Sequence, residues 1–541
     1  MTINRRDYLK GSAGLAGGAL VGGPLGSSIA AAQSRSETLR HVMGAVLTSL
    51  DPTTGGATRE SSPLSMNVYD RLVAFGTKQV AGGRMFDMGN IRGELAQKVD
   101  RSADGRTYTF HLREGATWHD GTPVEAEDIK WSLDRAVGAP STAKAQMSNG
   151  SMTDPGQFKI VGDRQIEIRT ERPDRLTLAT FCVPFLPMFN SKLAKKHATS
   201  DDPWAVNWLK DNTAAGGAYI VESNRPGQQV VLRRNENWKN GENGKLPYFQ
   251  RVIVQTIPDV SARASLVERG DADLTLDAAA SDIPGLEKRG RVSIIAVPQT
   301  NAWQSVAFNT LAAPFDDLKV RQAVTAALPY EDMFNAAIFG RGKRLFGADW
   351  SEPPSSAIPQ PMPVRRDLDR AKRLLAESGH AGGFRTTFSF PASMSTTVEP
   401  MAALIKESLA TIGVDVTVQK LPDAQMTTMV SERRLPMFFD FFTAWLPTSE
   451  YTTRIFLTAT TRWNASGWND AIATKLGDDA RYETDQAKYD AMMVEVIKRY
   501  VAANPLALLW HPNHDAVVAK NVEGYTYWFH RGADYRYLKR I

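Results

Sequence analysis

Hydrophobic and polar side chains alternate over residues 108–113, with Tyr108, Phe110 and Leu112 on one face and Thr109, His111 and Arg113 on the other. This period of two predicts a strand with one buried face. Asp104-Gly105 ahead of it suits a tight hairpin turn, because both central positions accept positive φ. Beyond a loop, Thr122, Pro123 and Glu125 fit a capping box with proline at the first helical position. Ala126, Ile129, Leu133 and Val137 then recur at helical spacing up to Gly138. A hairpin leading into a packed helix accounts for the whole stretch, and nothing in it is a catalytic motif.

The pattern continues as alternating strands and helices. "TLRHVMGAVLTSLDP" predicts a first strand and loop, and "PLSMNVYDRL" a short helix. "FKIVGDRQIEIRT" predicts a hairpin with Ile166 and Ile168 inward, and "GGAYIVESNRPGQQVVLRRN" another around a type II turn at Pro226-Gly227. In "RVIVQTIPDVSARASLVERGDADLTL" a strand, a helix capped by Asp259 and ended near Gly270, and a second strand form an α/β crossover. Beyond residue 300 the helices strengthen. "FDDLKVRQAVTAAL" carries an acidic cap and an apolar stripe stopped by Pro329, and "DLDRAKRLLAESG" has Asp367 as cap and Gly379 at its end. In "EPMAALIKESLATIGVDVTVQKL" a helix stops at Gly413 before a strand with Val414, Val416 and Val418 alternating. The prolines of "SEPPSSAIPQPMPVRRD" mark a surface connection.

At 541 residues the chain is too long for one core and predicts two or three folded units. Its 42% hydrophobic and 23% charged residues are those of an ordinary water-soluble chain. The net charge of +5 is spread along the chain, and no recognition motif accompanies it, which argues against nucleic-acid binding. The sole cysteine, Cys182, excludes an intrachain disulfide and a Cys-based zinc site, and its apolar run "LATFCVPFLPMF" predicts a buried thiol. Residues 1–33 read as an export signal: Arg5-Arg6 precede a Gly- and Ala-rich run, and "AAA" at 30–32 offers a cleavage site. The arginine pair points to the twin-arginine route, and no cysteine follows to accept a lipid.

No nucleophile elbow, Walker loop, dinucleotide fingerprint or zincin motif is present. His511 and His514 in "WHPNHD" are spaced for a metal, but Pro512 blocks the helix that would aim them, so a surface or core role is expected. His119-Asp120 reads as a turn with a stabilising aspartate. Aromatic and amide residues in strand-end loops are more telling. Trp303, Phe390, Met394, Trp445, Glu450, Tyr451, Trp463 and Asn464 all fall in or beside such loops, where open α/β sheets hold ligands. As a set they suggest a pocket that holds a ligand without reacting with it, with no catalytic residue, metal or cofactor.

"VYDRLVAF" followed by Asp104 to Arg135 resembles the family 5 extracellular solute-binding proteins of bacterial ABC importers, the dipeptide- and oligopeptide-binding type. The family pattern is a YDRL segment, here Tyr69 to Leu72, then DGxxYTFxLRxGxxxxDGxPxxAxDxxxSxxR. "GGAYIVES", "LRRNENWKNG", "FDDLKVRQAV", "RAKRLLAESG", "LIKESLATIGVDV" and "ANPLALLWHP…VVAKNVEGY" extend the likeness along the mature chain in order. The resemblance implies an α/β, two-lobed periplasmic binding protein fold, type II-like, with a small accessory domain. Its first lobe would comprise 34–60, 196–300 and 510–541, the accessory domain 61–195 and the second lobe 301–509. Crossings near Trp303 and Trp510 would form the hinge. It also implies a monomeric, soluble periplasmic protein that delivers a peptide or another medium-sized polar solute to an inner-membrane permease. Relatives that carry oligosaccharides, opines, haem or nickel keep non-peptide ligands open. In dipeptide-binding members the loop matching "TAWLPTSEY" carries an aspartate for the peptide's amino terminus. Here Leu446, Pro447, Thr448 and Ser449 follow Trp445, and Glu450 is the first acid. "ALPYED" likewise departs from the acidic residue and arginine usual after its helix. A secreted hydrolase using Glu450 and Asp470, or a sensor without a permease, are the competing readings.

Overall fold

A computed structural model describes residues 35–54, 57, 59–240, 244–461, 463–528 and 532–541. The export-signal reading of residues 1–33 lies outside the described residues. Most strands join one mixed twelve-stranded sheet, and its long member, Leu506–Ala519, belongs to both halves. Leu506 to Trp510 pair with strand Ala302–Phe308, whereas Asn513 to Ala519 pair with strand Val292–Pro298. The changeover falls at Pro512, which has no N–H to give to a ladder. Its carbonyl still accepts the Gln299 N–H at 3.0 Å. The two halves are thus joined by two short crossings, 298–302 and 510–513, that lie side by side.

The first half is a sheet of strands Thr38–Met43, Arg251–Thr256, Gln229–Arg234 and Tyr219–Arg225, with the predicted crossover helix Val260–Arg269 on it. Asp259 caps that helix by accepting the Ala262 N–H at 2.6 Å, and Gly270 ends it at φ +80°. Val42, Val267, Leu286 and Val517 seal the interface. In the second half, helices Leu318–Ala327, Tyr330–Ile338 and Ser395–Ala410 cover one face around buried Phe388, Phe390, Met401 and Trp510. Asp317 and Asp367 cap their helices as expected. Val418 departs from the expected inward alternation. Its strand, Val414–Leu421, is the sheet edge, and the side chain stays 37% exposed.

The opening motif builds a separate four-stranded sheet from Ala96–Arg101, Thr107–Leu112, Gln165–Arg169 and Phe158–Gly162, packed under helix Ala126–Gly138. At its hairpin only Gly105 takes positive φ, +68°. Asp104 instead accepts hydrogen bonds from the Ser102 hydroxyl and the Arg106 N–H. The helix starts later than the capping-box reading placed it. Thr122 closes the preceding loop onto Asp120, and the Asp128 carboxylate accepts the Glu125 N–H at 3.1 Å to cap the helix.

The family-pattern residues turn inward. Asp128 also accepts from the Trp118 indole and from Ser191. Arg135 pairs with fully buried Asp51 at 2.5 Å. Arg71 and Arg536 both grip Glu94 at 2.8 Å, holding its carboxyl well below the ordinary range against the cost of burial. Asp70 beside them is raised to about 7, by burial first and by Glu94 second. Cys182 is buried, as expected, and burial pushes its thiol up. These residues fasten the small sheet to the carboxyl-terminal segment. One contiguous apolar core then runs from Phe110 and Trp118 in that unit to Trp303, Tyr489 and Met493 in the second half.

Candidate functional site

The strands Thr38–Met43 and Arg251–Thr256 run parallel, so their carboxyl ends deliver Gly44 and Asp259 to the same edge. Across a cleft of about 570 Å³ stand Ser393, Met394 and Thr397, delivered by the end of strand Phe384–Pro391. Gln304 and residues 512–515 form its floor at the crossings. Loops at strand carboxyl ends are free of the ladder and can turn side chains toward a ligand.

Two arginines shape the cleft. Arg263 gives its guanidinium to the carbonyls of Ile257 (2.8 Å), Pro258 (2.9 Å) and Asp277 (3.2 Å). A Cβ at Gly44 would stand 2.9 Å from this guanidinium, so glycine is what lets the two segments approach. Arg341, from the second half, makes a two-point contact with Asp515 at 3.0 and 2.8 Å and reaches Glu287 of the first half at 3.3 Å. Phe339 ends its helix at φ +55° and leaves a half-exposed ring on the cleft wall.

Ser393 also borders a second recess of about 320 Å³ on the second half, lined by Met426, Phe438, Asp440, Phe442, Phe456 and Trp463. Cross-strand register sets its floor: Trp303 lies opposite Phe442 and Ser305 opposite Asp440. The Trp303 and Phe442 rings meet edge to face at 3.9 Å, and Phe456 lies 6.2 Å from Trp303.

The structure therefore gathers Trp303, Tyr451 and Trp463 around Phe456. Trp303 is buried, and its indole N–H has no hydrogen-bond partner among the described residues. Met394 lines the cleft itself. Trp445 stands apart, edge-on to Phe185 of the small unit at 4.5 Å. Glu450 is buried, its carboxylate accepting from the Thr448 hydroxyl at 2.8 Å and the Tyr489 hydroxyl at 2.5 Å. Phe390 packs in the core of the second half. Asn464 organises its own loop, donating to Ala459 and Trp468 carbonyls and accepting from Ser466 and Gly467.

His511 and His514 turn to different partners, the Ala302 carbonyl at 2.6 Å and the Tyr525 hydroxyl at 2.6 Å. Burial holds His511 near a pKa of about 4. Asp120 stabilises its turn, and His119 beside it is buried and also lowered to about 4. The reading of the sequence passed over Asp440, Phe442, Phe456, Phe339 and Phe185. For the first two a signal was present in "FFDFF", a strand whose inward alternation places an acid between phenylalanines.

Residues 90–464 match the model of the family described as bacterial extracellular solute-binding proteins, family 5 Middle. The chain belongs to this family. It is similar to "Probable D,D-dipeptide-binding periplasmic protein DdpA" of Escherichia coli, 25% identical over 483 residues, 85% of this chain and 86% of the relative. Heme-binding protein A of Haemophilus influenzae is 29% identical over 371 residues, 65% of this chain and 64% of that one. Among solved structures, the dipeptide-binding protein of Pseudoalteromonas sp. SM9913 in complex with Met-Leu aligns with a TM-score of 0.76 at 21% identity, over 93% of this chain and 100% of that one. The α/β, two-lobed periplasmic binding protein fold expected from the sequence is the fold of this family member. Among the described residues no helix is long and apolar enough to cross a membrane.

Proposed function

We propose that this solute-binding protein is the periplasmic component of an ABC importer that captures a peptide or a related medium-sized polar organic solute. It closes two lobes over its guest and hands it, unaltered, to an inner-membrane permease. The lobes would follow the boundaries expected from the sequence: 34–60, 196–300 and 510–541 for the first, 301–509 for the second and 61–195 for the accessory unit. The chain would leave the cytoplasm through a twin-arginine signal and act as a soluble monomer without a lipid anchor. Met394, Trp303, Tyr451, Trp463 and Trp445 are the residues of the sequence-derived set we retain nearest the guest, with Glu450, Phe390 and Asn464 holding the loops that carry them.

The observation that carries this reading is the cleft spanned by two adjacent crossings, since two short strands can twist together while each half stays rigid. A guest moves such an equilibrium only by preferring the closed form, and a swing from 1:99 to 99:1 takes about 5.5 kcal/mol of preference. The loop matching the one that carries the amino-terminus aspartate in dipeptide-binding members has Leu446, Pro447, Thr448 and Ser449 after Trp445 and no acid before Glu450, which favours a solute other than a simple dipeptide.

Mass spectrometry of solute released on denaturation, followed by a melting panel of dipeptides, oligosaccharides, amino-acid conjugates and haem, tests the reading. A true guest at one hundred times its Kd adds about 2.7 kcal/mol of stability. Steady consumption of the compound by the isolated protein, or identical X-ray scattering with and without it, rejects the proposal.

A further inference from the structure

The recess beside Ser393 is chemically one-sided. Its floor is the inward face of strand Met437–Thr443, where period-two geometry sets Phe438, Asp440 and Phe442 on one side. Helix Asp423–Ser431 supplies Met426 and, at its first residue, Asp423, whose carboxylate accepts the Ser393 N–H at 3.1 Å. Trp463 stands at the rim, 52% exposed, with its ring edge-on to Phe456 at 6.3 Å. Among the described residues, two carboxylates and no lysine, arginine or histidine line the recess.

Asp440 is the unusual group. It is partly buried, no ion pair involves it among the described residues, and the Phe441 N–H is its one local hydrogen-bond donor. Tyr500 lies within electrostatic reach of Asp440, and its hydroxyl already donates to the Leu506 carbonyl at 2.9 Å. A carboxylate withdrawn from water beside aromatic rings loses solvation that a cation would restore. Ring faces attract the same kind of guest, because their quadrupoles favour a positive charge held about 6 Å or less from the centroid.

We propose that this recess binds an organic cation, with Asp440 as its counter-charge and Phe442, Phe456 and Trp463 as its walls. The recess volume of about 320 Å³ holds a substituted ammonium or guanidinium head group rather than a whole oligopeptide. Because it shares Ser393 with the cleft between the lobes, the head group would sit here while the rest of the solute extends into the cleft. The assignment rests on the solute-binding reading and narrows it to solutes with a positively charged end.

The test is titration of the full chain at pH 8 with benzyltrimethylammonium and butylguanidinium, against neutral benzyl alcohol and pentanol. Tryptophan fluorescence and the melting curve report binding, and X-ray scattering reports closure. We expect saturable binding of the cations and none of the alcohols. Asp440→Asn should weaken cation binding at least tenfold, and Trp463→Ala, at an exposed position, several-fold. Alcohols that bind as well as the cations, or an Asp440→Asn chain with unchanged affinity, overturn the proposal. Should Asp440→Asn fail to fold, Trp463→Ala and the cation-to-alcohol ratio decide alone. A co-purified solute that drives closure in both variants with undiminished affinity leaves the solute-binding reading standing and removes this one. Cation binding lost in Asp440→Asn, with consumption of the co-purified solute by the isolated protein, does the reverse.

Discussion

Asn301 and Ala444 hold each other by two hydrogen bonds: the Asn301 amide donates to the Ala444 carbonyl at 2.8 Å, and the Ala444 N–H donates back to the Asn301 carbonyl at 2.6 Å. The Tyr527 hydroxyl, from the carboxyl-terminal segment, donates to the Asn301 side chain at 3.0 Å. One buried asparagine in a crossing between the halves therefore fixes the residue just before Trp445. The position of the Trp445 loop and the angle of the crossing are coupled through it.

Replacing Asn301 by alanine leaves the Ala444 carbonyl without its buried side-chain partner, while the Tyr527 hydroxyl keeps its longer contact with Gln299 at 3.4 Å. One orphaned buried group costs about 1–3 kcal/mol. We expect the urea midpoint to fall by the equivalent of about 1–3 kcal/mol and solute affinity to drop with it. A full-strength midpoint in the alanine variant would show that the coupling is not energetic.

The small unit built on the four-stranded sheet touches the second half through a buried ion pair. Arg481 reaches Asp174 at 2.6 Å, with side chains 9% and 0% exposed, and also donates to the Ser148 carbonyl and the Ser151 hydroxyl. Arg481→Met leaves the Asp174 charge buried with, among the described residues, the Ser151 hydroxyl and the Leu176 N–H as its hydrogen-bond donors. Breaking such a pair from one side costs about 3–5 kcal/mol. Because the pair spans the two units, the same change should enlarge the radius of gyration of the solute-loaded protein. Removing both partners, Asp174→Asn with Arg481→Met, should restore most of the stability while the radius stays enlarged.

Strand and helix placement was legible wherever a side chain announces a backbone state. Asp259, Asp367 and Gly270 mark helix ends because capping is a local matter between neighbours in sequence. Pro226-Gly227 likewise forms its turn, with Gly227 at φ +78°. The pocket was legible only in part. Trp303, Tyr451 and Trp463 meet around Phe456, but that meeting depends on which strand lies beside which, and periodicity carries no such information. Thr122 misled for a similar reason. The Thr122-to-Glu125 spacing satisfies a cap, yet Asp120 and Asp128 compete for the same donors and hold them. Phe390 and Asn464 carry the residue types of a binding loop but face a core and a turn.

Gly82 tests how the hairpin Val73–Val80 and Gly83–Gly93 is seated. It lies at φ +82°, and a Cβ there would stand 1.8 Å from the Ala296 carbonyl oxygen. That carbonyl belongs to strand Val292–Pro298, next to the crossing, and backbone cannot retreat as a flexible side chain would. Gly82→Ala should therefore lower stability by about 2 kcal/mol or more, from positive-φ strain plus overlap. Hydrogen exchange should rise in the hairpin before it rises elsewhere. Gly227→Ala, also at positive φ but with open space around it, should cost only the strain, about 1 kcal/mol.

Asp440 gives a pH signature that separates it from the other acids. Burial raises its pKa to about 7, above the ordinary value of 3.8 that the unfolded chain would show. A raised carboxyl favours the fold while protonated. Its favourable contribution is complete below pH 3.8, declines as the pH climbs toward 7, and is gone above it. The shift would correspond to about 4 kcal/mol if it were fully expressed, and the side chain's contact with the recess lowers this to on the order of 2 kcal/mol. Asparagine keeps the shape without the charge. Asp440→Asn should therefore be more stable than the parent at pH 8 and lose that advantage as the pH falls toward 4, whereas every other titrating group cancels in the difference. Paired urea unfolding curves at pH 4, 6 and 8 read this directly. A difference that does not change between pH 4 and pH 8 would mean that the Asp440 carboxylate is already neutralised in the free protein, and the cation would then have no counter-charge to meet.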